Sequence, residues 1–398
     1  GAGGARVSRL KRVAGHVIRA LPEALVGRLL PGEYRYRPAD IPAPSRAPDT
    51  PVRLYIAPAN FAGQAWQWAR AAERHLPGVG AVSMVEVLRA GFRHPADTAV
   101  PRGVYAASGR WQGAERAVVA RDFTHLIVEA ERWPFGGVLL ESVDEQVQWA
   151  LDRGLHVAML CHGSDIRLPS RHAELEADSP FRTALGDQIA HYQRLTERNR
   201  ALLDRLDLPV FVSTPDLLRD VPQATWLPVV VDVDRWATDA APLSRAVPRV
   251  VHAPSRAAMK GSELVEPTLH RLHEQGLIDY RRLEKLPHEG MVAAYRDADI
   301  VLDQFSMGIY GVAACEAMAA GRVVVSHVAD FSRETVLAAT SQRLPIVQAR
   351  AAELETVLRG LLDDREAARA TAALGPDFVR AVHDGRRSAQ VLGPFLLG

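Results

Sequence analysis

The residues able to do chemistry fall in four short loops, each following an apolar run. The first is Ala57-Pro-Ala-Asn-Phe-Ala-Gly-Gln-Ala-Trp66, where Asn60, Gly63 and Gln64 precede a helical pattern whose first amides can face a polar ligand. It also reads as an ordinary strand–turn–helix with one glycine. The second is Leu160-Cys-His-Gly-Ser-Asp-Ile-Arg167. A neutral imidazole at His162 can donate or accept a hydrogen bond, with Asp165 and Arg167 close behind. The plainer alternative is that Asp165 caps the next turn and His162 is a satisfied, half-buried histidine. The third is Val251-His-Ala-Pro-Ser-Arg-Ala-Ala-Met-Lys-Gly261. Arg256 and Lys260 are four apart, and both can reach a diphosphate; an ammonium is a compact charge suited to negative charge growing on phosphate. Of 48 lysines and arginines only Lys11, Lys260 and Lys285 are lysines, so a lysine here stands out against an arginine background. The fourth runs from Asp303 to Gly321. Gly308 and Gly311 open a small-residue helix whose N-terminus offers amides and partial positive charge to a phosphate. Glu316, among Ala, Cys and Met, is costly to bury without a partner. Ribose hydroxyls would supply one, and so would a nearby arginine.

The elements that must position these loops alternate. Strand patterns at 52–57, 81–87, 123–129, 155–161 and 209–213 are interleaved with helical patterns at 64–76, 143–153 and 183–206. After Pro248 the alternation restarts, with strands at 249–253, near 279–285, at 299–303, 322–327 and 344–348, and helices at 261–275, 289–297, 310–320 and 350–363. Apolar strands alternating with helices indicate parallel sheets covered on both faces. Two such domains in series are expected, joined near 227–247, with ligands at the carboxyl ends of the strands and so in the cleft between two facing sheets. The boundaries read as 1–38, an N-terminal basic amphipathic helix; 39–230, a first αβ domain; 231–375, a second αβ domain; and 376–398, a closing helix.

Composition narrows the class. The 398 residues exceed one ordinary core. With 47% hydrophobic and 24% charged residues the chain is globular, and a formal net charge of +1 argues against dedicated nucleic-acid binding. Two cysteines, Cys161 and Cys315, make no disulfide framework and read as small core hydrophobes in a reducing compartment, consistent with a cytoplasmic location. No apolar run is long enough to span a membrane. In residues 5–30, Val7, Leu10, Val13, Val17, Ile18 and Leu21 share one helical face, with Arg6, Arg9, Arg12, His16 and Arg19 roughly opposite. Two readings stay open: a helix packed on its own domain, or a basic helix lying peripherally on the inner, anionic membrane face. The Pro-rich stretch from Pro38 to Pro51 reads as a linker.

On these residues the chain resembles the retaining glycosyltransferases of the large family-4 type. Their pattern is a glutamate, any residue, Phe-Gly, four residues, then Glu-Ala-Met-Ala-x-Gly. Here it is met by Tyr310-Gly311 and Glu316-Ala-Met-Ala-Ala-Gly321. Arg256 and Lys260-Gly261 look like the family's basic diphosphate clamp, and His162-Gly163 like its cleft histidine. The segment from Phe378 to Leu397 resembles its C-terminal helix. One position departs: the pattern's first glutamate, which contacts sugar hydroxyls in relatives, falls on Gly308.

The resemblance implies an α/β fold of the GT-B type: two Rossmann-like αβα domains facing across a cleft, with the last helix crossing back to the first domain. It implies transfer of a sugar from a nucleotide-diphosphate sugar, with retention and without a metal or other cofactor. His162, Arg256, Lys260 and Glu316 would form the catalytic set, with Glu316 holding the ribose. The donor would also meet Gly63, Ser306, Gly308, Ile309, Tyr310 and Gly311, the amides near Gly308 and Ile309 or the Ser306 hydroxyl replacing the missing carboxylate. A glycan, lipid-linked or small-molecule acceptor would meet Asn60, Gln64, Glu129, Glu131, Arg132, Asp165 and Arg167. Asp232-Val-Asp234 has the letters of a metal motif but lies in the expected linker. The rival readings are another enzyme on the same fold, a catalytically silent regulatory subunit that binds nucleotide sugar, and a membrane-surface scaffold.

Overall fold

The computed structural model describes residues 21–88, 94–137, 141–284 and 286–398. The chain divides into two compact units. Unit 1 is built from the described residues up to His162, from Asn199–Phe211 and from Ala389–Gly398. Unit 2 is built from Gly163–Arg198 and Val212–Ser388.

The first sheet contains β1 (Val52–Ala57), β2 (Val79–Val87), β3 (Thr98–Pro101), β4 (His125–Glu129), β5 (His156–Cys161), β6 (Val210–Val212) and β7 (Thr225–Trp226). Their order is β3-β2-β1-β4-β5-β6-β7. β1 pairs in parallel with β2 on one side and β4 on the other, with Leu54 opposite His125 and Ala57 opposite Val128. All five residues of β4 are buried, which is why it reads as an unbroken apolar run ending in a carboxylate. Strand order reverses between β1 and β4, so the loops after them, from residues 58 and 130, leave the sheet side by side.

The second sheet contains β8 (Arg249–His252), β9 (Asp279–Arg282), β10 (Ile300–Leu302), β11 (Val323–Ser326) and β12 (Val347–Gln348), in the order β12-β11-β10-β8-β9. Its strands are parallel, and its order reverses between β8 and β10, where Val250 faces Ile300 and His252 faces Leu302. The loops that follow, 253–261 and 303–311, are the third and fourth loops singled out in the sequence. Beneath them Val250, Leu269, Ile300, Val323 and Leu354 belong to one buried cluster.

The expected α/β class with two parallel-sheet units is observed. Several segments differ in detail. β3 and β7 are too short to show a period. The helix expected at 183–206 spans Gln188–Leu206, and helices Arg102–Ala107, Gly109–Asp122, Pro169–Leu175, Asp330–Thr340 and Arg365–Val382 add to those expected. Residues 163–198, read as part of the first domain, cluster with unit 2; His172 and Glu176 there bond to Met307 and His327 of that same unit. The stretch Pro38–Pro51 is no loose linker. Ser45 in its middle is buried, its amide donating to Glu115 Oε2 at 2.8 Å and its hydroxyl to Thr98 at 2.9 Å.

The basic face of residues 5–30 lies largely outside the described residues. Within them, helix Glu23–Leu29 buries Val26, and Tyr36 donates to Glu23 at 2.7 Å. No helix among the described residues is long and apolar enough to cross a membrane. At the other end, helix Arg365–Val382 stops at His383, and Gly385 at φ +99° separates it from helix Arg386–Leu397. The last ten residues belong to unit 1, where Phe395 packs edge-on against His125 at 5.1 Å.

Candidate functional site

Unit 1 gathers one set of the expected residues around Glu129, fully buried at the end of β4. Its Oε2 accepts from the amides of Ala59 and Asn60 at 2.9 and 3.0 Å, and its Oε1 lies 3.0 Å from His162 Nε2. The carboxylate thus fixes both the loop after β1 and the imidazole after β5. Asn60, in the left-handed region at φ +46°, donates to Pro95 O and accepts from Trp66 N, so its amide closes the loop. Gly63, at φ +74°, lets the chain enter helix Gln64–His75, where Gln64 is buried. Glu131 is buried too, accepting from Cys161 Sγ at 3.1 Å and Asn199 Nδ2 at 3.2 Å. Arg132 and Phe61 are exposed: the guanidinium lies 5.1 Å over the Phe61 ring, which is edge-on to His162 at 5.0 Å. Of the acceptor candidates on this unit, Asn60, Glu129 and Glu131 build the loops, and Arg132 presents a polar group outward.

Asp165 and Arg167 belong to unit 2. Asp165 accepts from the Gly163 amide and so closes its own turn. Arg167 is buried and donates twice to Asp216 Oδ2, at 2.9 and 2.6 Å.

The second set lies at the strand-order reversal of the second sheet. Lys260 Nζ donates to Asp303 Oδ1 at 2.8 Å, and the Phe305 amide donates to Lys260 O at 2.8 Å. These bonds tie the loop after β8 to the loop after β10. Gly261 allows the approach: at φ +70°, a Cβ there would stand 2.2 Å from Ser306 Oγ. Asp303 is buried, and Ser306 is buried against Gly261. Arg256 goes elsewhere, its exposed guanidinium donating to the Tyr192 hydroxyl at 2.6 Å. The expected two-residue clamp is therefore one cation fastened at the loop and one turned to Tyr192.

Gly311 begins helix Val312–Ala319 with no side-chain cap, and a Cβ built on it would point into open space. The helix lies close to helix Arg365–Val382 because Gly375 abuts Met318 O; a Cβ there would be 2.6 Å away. Half-buried Glu316 has no hydrogen-bond or ion-pair partner among the described residues, so the arginine alternative is not what the structure holds. Burial chiefly, reinforced by Asp303 and opposed by Lys260, pushes its carboxyl up to about 8.

Tyr310 needs a correction. Its side chain is buried, with the hydroxyl 3.2 Å from His383 Nε2 and the ring edge-on to His383, so only its main chain can meet a ligand. Sequence reasoning missed Gln304 and Asp303. Gln304 braces the loop by donating to Ile309 O and His327 O and accepting from Met307 N. Their place just past β10 was the available signal. Asp232 caps helix Val233–Trp236 by accepting from Arg235 N at 3.3 Å.

No family model matches the chain, and no curated protein is similar to it. Solved structures are. Sucrose-phosphate synthase from Thermosynechococcus elongatus is 14% identical, over 86% of this chain and 97% of that one, with a TM-score of 0.52. Anabaena HepE in complex with UDP-glucose is 12% identical, over 86% and 99%, with a TM-score of 0.52. HepE in complex with UDP and glucose is 12% identical, over 86% and 98%, with a TM-score of 0.51. At this identity the likeness is one of fold, and it extends over both parallel-sheet units.

Proposed function

We propose that the chain is a glycosyltransferase that takes its sugar from a nucleoside-diphosphate sugar bound at the reversal point of the second sheet. The observation that carries this is the uncapped start of helix Val312–Ala319, beside a loop to which Lys260 is fastened. Helix amides and an ammonium together suit a diphosphate. Asp303 occupies one of the three Lys260 donors and leaves the others for phosphate oxygens. Glu316, half-buried on the same helix and without a partner among the described residues, accepts from the ribose hydroxyls. HepE, of the same fold, is described in complex with UDP-glucose.

The finer reading is transfer with retention and without a metal. The bond from the anomeric carbon to the diphosphate oxygen breaks, and its electron pair leaves with the diphosphate. The acceptor hydroxyl forms the new bond on the same face, its proton passing to the departing phosphate. Lys260 and the helix terminus stabilise the leaving charge where it grows. On unit 1, His162 is the hydrogen-bonding group, oriented by Glu129, and Arg132 and Phe61 are the exposed contacts for an acceptor.

The test is calorimetric titration of UDP, GDP, ADP and TDP into the protein with EDTA present, then donor turnover with the nucleotide that binds. Selective binding and sugar transfer are expected. A folded protein that binds no nucleotide overturns the reading; one that binds but neither transfers nor hydrolyses its donor is a silent subunit.

A further inference from the structure

Glu176, just past helix Pro169–Leu175, has no part in the site above. Its side chain is 10% exposed, and it lines a cavity of about 40 Å³ with Gly308, His172, Met307 and Ser332. Its Oε2 lies 2.7 Å from His327 Nε2. Gln348 Nε2 donates to His327 Nδ1 at 2.8 Å, so the neutral imidazole carries its proton on Nε2 and donates it to Glu176. Arg350 Nη1 stands 3.7 Å from the same oxygen. Oε1 receives no hydrogen bond from any described residue. It lies against Gly308: a Cβ built there, where φ is +65°, would be 2.8 Å from Oε1. Gly308 thus leaves the space into which a carboxylate from another part of unit 2 is inserted. The loop it abuts is the one assigned above to the donor.

We infer that Glu176 is a specificity-determining residue whose Oε1 accepts hydrogen bonds from hydroxyls of the transferred sugar, in place of a side chain at position 308. The inference rests on the donor-site reading. Burial would raise the Glu176 pKa, but the hydrogen bond from His327 and the nearby Arg350 charge oppose it, and the carboxyl is held below its usual range. An ionised oxygen without a donor suits alcohol hydroxyls, which make short, charge-assisted bonds to carboxylates. It repels a second carboxylate, because the cations that line the same cavity are engaged, Arg167 with Asp216, Arg171 with Asp220 and Arg219 over the Phe331 ring. The cavity has room for about three waters, which fits a hydroxyl-bearing edge of a sugar and not a whole ligand. The site therefore favours a neutral hexose over the corresponding uronate.

The experiment compares wild type with Glu176→Gln for binding of UDP, UDP-glucose and UDP-glucuronate, and likewise of GDP, GDP-mannose and GDP-mannuronate, and ADP and ADP-glucose. Glutamine keeps the shape and still accepts from His327. For the nucleotide that binds, the expected result is unchanged affinity for the bare diphosphate, a loss of about ten- to a hundredfold for the neutral sugar nucleotide, and a smaller preference over the uronate. Unchanged affinity for the sugar nucleotide, as when the cavity holds only water, overturns the assignment and leaves the donor site standing. A wild type that binds no nucleotide overturns both. If the variant fails to fold, His327→Gln reads the same pattern by loosening the carboxylate, and an unaltered neutral-to-uronate preference there overturns the assignment as well.

Discussion

Lys260 and Asp303 meet at 2.8 Å, the carboxylate buried and the ammonium partly open to solvent. The pair does two things at once. It neutralises an acid that could not otherwise be buried, and it holds a cation at a fixed point beside the start of helix Val312–Ala319.

Removing the ammonium separates these effects. Lys260→Ala should weaken nucleotide binding by about 1–3 kcal/mol and also lower stability by leaving Asp303 unpaired. Lys260→Ala with Asp303→Asn should restore much of the stability and none of the affinity. Calorimetry beside thermal melting checks this; recovered affinity in the double variant would show that the lysine acts only on the fold.

The raised carboxyl of Glu316 makes nucleotide affinity pH-dependent. Its pKa of about 8 leaves it protonated in the free protein at neutral pH, whereas ribose hydroxyls favour the ionised form. Binding should release a proton below pH 8, tightening with pH by up to about tenfold per unit and levelling above it. Glu316→Gln should bind more weakly with a flat profile. Titrations in buffers of different ionisation enthalpy read the proton directly, and wild-type affinity constant from pH 6 to 9 would refute the role.

Gly261→Ala should cost about 1–3 kcal/mol, since the residue sits at φ +70° and its Cβ would strike Ser306 Oγ. Ser306→Ala in the same chain should recover only part, because the backbone strain persists. Denaturant midpoints of the two singles and the double measure the split.

Four histidines, His125, His172, His252 and His383, are pushed down to about 4, burial being the first cause in each. The unfolded chain protonates them near pH 6.5 while the folded chain resists, so the stability they lend is present above 6.5 and is lost as pH falls towards 4. The denaturation midpoint should drop steadily across that window. His252→Asn, which keeps a bond to Leu302 O or Ser262, should flatten the slope by about one proton.

Much of this was legible in the sequence because buried parallel strands leave continuous apolar runs, and the four loops followed from where those runs stop. Lys260 stood out for a compositional reason, and Glu316 because nothing beside it in the sequence could pair with it. What could not be read is any partnership across sequence distance. Nothing local distinguishes Glu176 from its neighbour Glu174, or says that Glu129 will be consumed by the amides of a loop 70 residues earlier. Tyr310 misled because a motif position specifies its backbone, while its ring turned to the core.

Unit 1 is assembled from three stretches of chain, the last of them Ala389–Gly398. Ala389, Leu392 and Leu396 are buried there, and Phe395 also faces Phe211 at 6.1 Å. A ribosome that has delivered all of the first stretch has therefore still not supplied what this unit needs to close. Its apolar seat for residues 389–398 stays uncovered while about 230 further residues emerge, which at roughly 5–20 residues per second is ten seconds or more. Unit 2, whose last residue is Ser388, has its own parts first, so the order of completion on the ribosome runs opposite to the order in the gene.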